Sequence, residues 1–331
     1  MRLILDGGRL RAPWRLLLQY LLFWASLQVL LSALAAAYLS SYPDRSASSS
    51  LSSFQVLLGS VAALTATLLS VWVAGRFLDR RPFADFGFRL GRGWWFDLAF
   101  GLALGAALMT AIFLAELGLG WVSISGAFEV ADAGTPFALA LLLPLGTFVC
   151  VGVYEELIFR GYQIKNASEG LDFPAIGPRG AVLLAWLLTS AFFGYQHAGN
   201  PGATALATLN IALAGLMLGL GYVLNGELAI PIGLHVSWNL FQGGVYGFPV
   251  SGLDSLGASF VAVEQSGPEL WTGGSFGPEA GLLGVVAMLL GALLITLWVR
   301  LRHGRVALHA SLAEDPKRAL PSNDPSETGR S

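Results

Sequence analysis

About eight stretches of this 331-residue chain are apolar for long enough to cross a lipid bilayer, which excludes most folds at once. A span needs roughly 20 mostly apolar residues to cover about 30 Å of hydrocarbon. The stretches fall near 14–41, 52–76, 94–119, 136–163, 181–197, 203–224, 228–246 and 281–299. They are continuous Leu/Ala/Val runs rather than the alternating segments of about ten residues that a membrane β-barrel requires. An all-α, polytopic membrane protein is therefore predicted. Composition agrees, with 55% apolar residues, 12% charged residues and a mean hydropathy of +0.65.

The basic residues give an orientation. Arg2, Arg9, Arg11 and Arg15 precede the first span, and Arg76, Arg80, Arg81, Arg89 and Arg92 fill the second connection. Arg160, Lys165 and Arg179 surround the fourth connection, and Arg300, Arg302, Arg305, Lys317 and Arg318 follow the last span. Of 19 Lys and Arg, only Arg45 departs from this side, so both termini are expected in the cytoplasm. The first apolar run is too long for a cleaved leader and reads as a span. The expected organisation is N-terminal transmembrane helices over 1–135, a catalytic helical core over 136–246, and a non-cytoplasmic loop over 247–280. A last helix with its basic flank over 281–305 and a disordered cytoplasmic tail over 306–331 complete it. Gly101 with Gly105, and Gly215 with Gly219, are small-xxx-small pairs expected to act as packing devices. The single Cys150 allows no intrachain disulfide, a net charge of −2 gives no nucleic-acid signal, and no phosphate-binding glycine loop is present. Oligomeric state is not legible.

Three clusters break the apolar runs. The first is Glu155-Glu156 with Arg160, in which Glu156 and Arg160, four apart, share a helical face and can pair. Glu155 points about 100° away, so the two acids need not do the same job. Alternatively, all three mark the cytoplasmic end of the fourth span, solvated. The second is Phe193 with His197, just ahead of a Gly/Asn/Pro break. The third is His235 with Asn239 on one helical face, where a simple interhelical hydrogen bond is the alternative. Ionisable groups in hydrocarbon are costly, and one shared polar site explains all three together. A carboxylate, two imidazoles and an amide can activate water and stabilise an oxyanion, as amide hydrolysis requires. Zinc held by Glu155, His197 and His235 is the alternative, although the His-Glu-x-x-His signature and a Cys ligand set are absent.

In that order, Glu155-Glu156-x-x-x-Arg160, Phe193-x-x-x-His197 and His235-x-x-x-Asn239 resemble the CPBP family of intramembrane endopeptidases. That family includes the eukaryotic type II CAAX prenyl endopeptidase and bacterial Abi-type proteins linked to bacteriocin immunity. The resemblance covers about 150–245, and the flanking spans only by hydropathy. It implies a helical membrane protease in which Glu155 and His197 activate the attacking water while His235 and Asn239 support the oxyanion. Glu156, Arg160 and Phe193 would be structural support, with the roles of the two Glu exchangeable. The family has been described as both glutamate-dependent and metal-dependent; a metal-free mechanism without cofactor is favoured here. A membrane-associated peptide or protein is the expected substrate, the lipid bilayer the other partner, and the Ala/Leu/Gly-rich chain suggests a bacterial cell membrane. The reading from another class is a transporter or peptide-binding immunity protein that uses the same polar cluster without hydrolysis.

The span boundaries leave one conflict. They put Glu155 near the cytoplasmic end of its helix and His197 near the outer end of the next, depths that could differ by more than 10 Å. A shared site requires that the fourth helix continue past Arg160, that the fifth begin deep in the cytoplasm, or that the fifth be tilted or broken.

Overall fold

The computed structural model describes residues 5–6, 9–41, 52–131, 134–254 and 257–314. Arg45, the one basic residue at odds with the orientation, lies outside the described residues. The fold is carried by helices α1 Ala12–Ser41, α2 Ser53–Asp79, α3 Arg92–Gly118, α4 Phe137–Leu171, α5 Gly177–Gln196, α6 Ala205–Asn225, α7 Ala229–Asn239 and α8 Leu282–His303. Six of them, all but α5 and α7, are long and apolar enough to cross a membrane. The eight spans expected are thus six by this measure. In α5, Arg179 and Gln196 dilute the apolar run. In α7 only 11 residues are α-helical before a π-helical turn, Leu240–Val245, and every one of them is buried. Its apolar surface therefore meets protein on all sides rather than lipid.

The glycines explain how α7 gets there. A Cβ on Gly101 would run into the backbone of Ile230 and Leu234, and one on Gly105 into Leu234 and Ser237. Gly233 is equally closed off by Leu98 and Leu102. Backbones meet directly between α3 and α7, which is how helices associate where lipid removes the hydrophobic driving force. Gly215 lets α6 approach the backbone of Ser190 in α5, and Gly219 makes room for the Trp186 ring.

α4 continues well past Arg160, which resolves the conflict of depths. Its 35 residues would span about 50 Å, so Glu155 and Glu156 fall near its middle rather than at its end. The stretch Leu157–Ile164 is π-helical, and all eight of its residues are buried. Arg160 is 2% exposed, so it is no solvated flanking anchor. Other basic residues expected at the cytoplasmic surface are also buried: Arg15 pairs with Asp79 at 2.6 Å and with Glu169 at 2.9 Å, and Arg81 also pairs with Glu169. This cluster ties α1, α2 and the end of α4 together.

Two connections form an antiparallel ribbon, Val122–Val130 with Ala258–Gln265, pairing Val122 with Gln265 and Val130 with Ala258 across a register shift between Ile124 and Gly126. The loop expected over 247–280 therefore contains a strand, an exception to the all-helical architecture. Residues 306–314, expected in the disordered tail, return to the bundle: the N–H of His309 donates to the Val223 carbonyl at 2.8 Å, and Leu312 and Ala313 are buried. The rest of that tail, 315–331, lies outside the described residues.

Candidate active site

The three clusters converge on one cavity of about 400 Å3, with Glu155 from α4, His197 from the end of α5, and His235 and Asn239 from α7 in its wall. Phe23 and Trp24 of α1 line its apolar side. Every residue expected to do chemistry is therefore at this cavity.

Glu156 turns the other way and is fully buried. Its Oε1 accepts from Arg160 at 3.0 Å and from Nδ1 of His235 at 2.8 Å. The pairing with Arg160 was legible from spacing; the bond to His235 was not, because it joins positions 79 apart. A carboxylate only accepts, so Nδ1 of His235 carries the proton and, in the neutral ring, Nε2 keeps its lone pair. That Nε2 lies 3.9 Å from Oε2 of Glu155. Glu156 thus does for His235 what the buried acid of a catalytic triad does for its imidazole, fixing tautomer and orientation.

Arg160 is held on three sides. Besides Glu156, it donates to the Gly215 carbonyl at 3.1 Å, and its guanidinium lies over the Phe193 ring at 4.4 Å from the centroid. Phe193 also packs its ring against His197, centroids 4.7 Å apart, and its carbonyl accepts the Nδ1 proton of His197 at 2.8 Å. The same logic leaves Nε2 of His197 as an acceptor. Phe193 therefore links the charge pair on α4 to the imidazole on α5, a role its place one turn before His197 permits.

Glu155 is half-buried, and its Oε2 has no hydrogen-bond partner within the protein. Glu155 as a residue lines the cavity, so its carboxylate group is beside any molecule held there. Residues 137–241, the stretch that supplies all of these side chains, match the family model described as type II CAAX prenyl endopeptidase Rce1-like. This part of the chain is Rce1-like. The stretch is similar to a family described as type II CAAX prenyl endopeptidases, and it lies in a multi-pass helical membrane protein. The Rce1-like match ends two residues past Asn239, so α1 to α3 and α8 are outside it. No curated protein and no solved structure matches the chain.

For a metal, the donors do not fit as they stand: among the described residues no three His, Cys, Asp or Glu side chains are placed to hold an ion. His235 and His197 commit Nδ1 to Glu156 and to the Phe193 carbonyl, which leaves the lone pair of each Nε2 directed elsewhere.

Proposed function

We propose that the Rce1-like core hydrolyses a peptide bond of a membrane-associated peptide or protein in the cavity between α4, α5 and α7, by a metal-free mechanism. The observation that carries this reading is that Glu155, His197, His235 and Asn239, from three helices, line one cavity. Water bonded to Glu155 and to Nε2 of His197 loses a proton to them as it attacks the carbonyl carbon. Asn239 donates an amide hydrogen to the oxyanion that forms. His235, whose Nε2 lies 3.9 Å from Oε2 of Glu155, is a second donor to the oxyanion when it enters the cycle protonated, and it keeps that proton throughout. The proton taken from water is returned to the departing amine by His197, and the carboxyl product leaves. Both termini lie on the cytoplasmic side in this reading, which rests on the distribution of Lys and Arg.

Substrates in this reading are peptides presented at the membrane, of the CAAX type or of the kind met in bacteriocin immunity, in a bacterial cell. The apolar side of the cavity, with Phe23 and Trp24, suits a segment that arrives from the bilayer. The test compares the proteomes of membranes that carry wild type or Glu155→Ala. Cleavage products that vanish with the carboxylate are expected. Identical peptide sets, with altered uptake or flux of a peptide, would support transport or binding instead.

A further inference from the structure

Glu279 lies outside the Rce1-like stretch, in the buried turn Pro278–Ala280 that leads into α8, and is 3% exposed. Its Oε1 accepts from the backbone N–H of Ser251 at 2.5 Å and from the Ser251 hydroxyl at 3.1 Å, while Oε2 accepts from the side-chain amide of Gln242. Both partners lead back to the site. Gln242 follows Asn239 by three residues on the same helical run, and its Oε1 accepts from Nε1 of Trp238 at 2.9 Å. The carbonyl of Ser251 accepts from Asn200 at 2.9 Å, three residues past His197.

The turns that meet here have no slack. Ser251 is held at φ 50, a left-handed conformation that costs a non-glycine residue energy and persists only where its surroundings impose it. A Cβ on Gly252 would strike the Pro201 carbonyl, and one on Gly277 would strike the Pro249 carbonyl. Glu279, Ser251, His197, His235 and Asn239 also line a second, smaller cavity of about 40 Å3 beside the main one, enough for a water molecule.

We infer that Glu279 is a positioning residue of the hydrolytic site: by holding Gln242 and Ser251 at once, it sets the His197 turn against the helix face of His235 and Asn239. A carboxylate suits this place because three donors converge on it and it offers only acceptors. An amide there would turn its NH2 group toward a donor either way, the NH2 of Gln242 or the backbone N–H of Ser251. The claim about activity rests on the function proposed above, while the claim about geometry does not.

The test uses the full chain in lipid nanodiscs, with an internally quenched farnesylated CAAX peptide as probe and hydrogen exchange as a second readout. For Glu279→Gln, kcat per folded protein should fall about tenfold or more with KM within about twofold, since small misplacements of catalytic groups act on the chemical step. Gln242→Met should do the same, and the double variant should lose little beyond either single one. Amides of 198–203 and 250–252 should exchange at least about tenfold faster in Glu279→Gln, with the strand Ala258–Gln265 unchanged. Wild-type exchange in the 198–203 turn, or losses in kcat that multiply in the double variant, would overturn the proposal. If wild type itself leaves the probe uncut, the function proposed above fails for this substrate class, and exchange alone decides the role of Glu279. Should Glu279→Gln fail to accumulate, Gln242→Met carries both readouts.

Discussion

His235 and Glu156 meet through Nδ1 and Oε1 at 2.8 Å, and the same oxygen also receives Arg160 at 3.0 Å. One carboxylate therefore anchors a charge on its own helix and orients an imidazole on another. Glu156→Gln should disturb both without emptying the site, because an amide can turn a donor toward Nδ1 and reverse the tautomer. We expect kcat to fall by about 10²–10⁴-fold, the upper end being that of an orienting acid lost from a catalytic triad. Steady-state kinetics on the farnesylated CAAX peptide checks this, and a loss under twofold would remove Glu156 from the account.

Arg160 should matter to stability as well as activity. It is buried, paired with Glu156, bonded to the Gly215 carbonyl and stacked on Phe193. Arg160→Ala leaves the Glu156 charge uncompensated, a penalty on the order of 3–5 kcal/mol for buried pairs in general. A clear drop in Tm in detergent is expected. Wild-type Tm would mean that the pair does not lock α4.

Asn239 separates the metal-free mechanism from a zinc-based one, since an amide is a poor zinc ligand and a good oxyanion donor. Asn239→Ala should lower kcat by about 10²–10³-fold with little change in KM. Chelators should leave wild type active. Near-stoichiometric zinc in purified protein, with activity lost on stripping and regained on reloading, would replace the metal-free account by one in which Glu155, His197 and His235 rearrange around an ion.

Burial pushes the Glu279 carboxyl up from 4.5 to about 7, against the donors that favour its ionised form. A carboxyl whose folded pKa is raised binds more protons folded than unfolded between these values, so this group's contribution to stability is full below pH 4.5 and is lost as pH rises to about 7. The contribution is roughly 3 kcal/mol from a shift of this size. Wild type minus Glu279→Gln, compared as Tm at pH 5 and pH 8, should show this slope for wild type and its absence in the variant. Parallel slopes would place the ionisation elsewhere.

Much of this site is legible in the linear order of residues. Glu156 with Arg160, Phe193 with His197, and His235 with Asn239 are each one helical turn apart, and spacing alone puts each pair on a common face. What joins the pairs is not local. Nothing near Glu156 announces His235, and Ser251 and Glu279 sit where no helical period marks them. α4 was expected to end near 163 because Arg160, Gln163 and Lys165 look like residues of a watery boundary. They are buried against α1, α2, α5 and α6 instead, a tertiary circumstance that hydropathy does not carry. α7 reads as a span for the converse reason: its apolar residues face protein, and a run buried on all sides resembles one bathed in lipid. The strand Val122–Val130 was missed because its partner lies more than a hundred residues away.

The central claim is that Glu155 activates water in the shared cavity. The most direct measurement is single-turnover hydrolysis of the farnesylated CAAX peptide by purified Glu155→Gln and wild type, with peptide binding measured alongside. The account predicts that Glu155→Gln binds the peptide with unchanged affinity, keeps its Tm and cleaves nothing measurable. Hydrolysis by Glu155→Gln at a substantial fraction of the wild-type rate would contradict it.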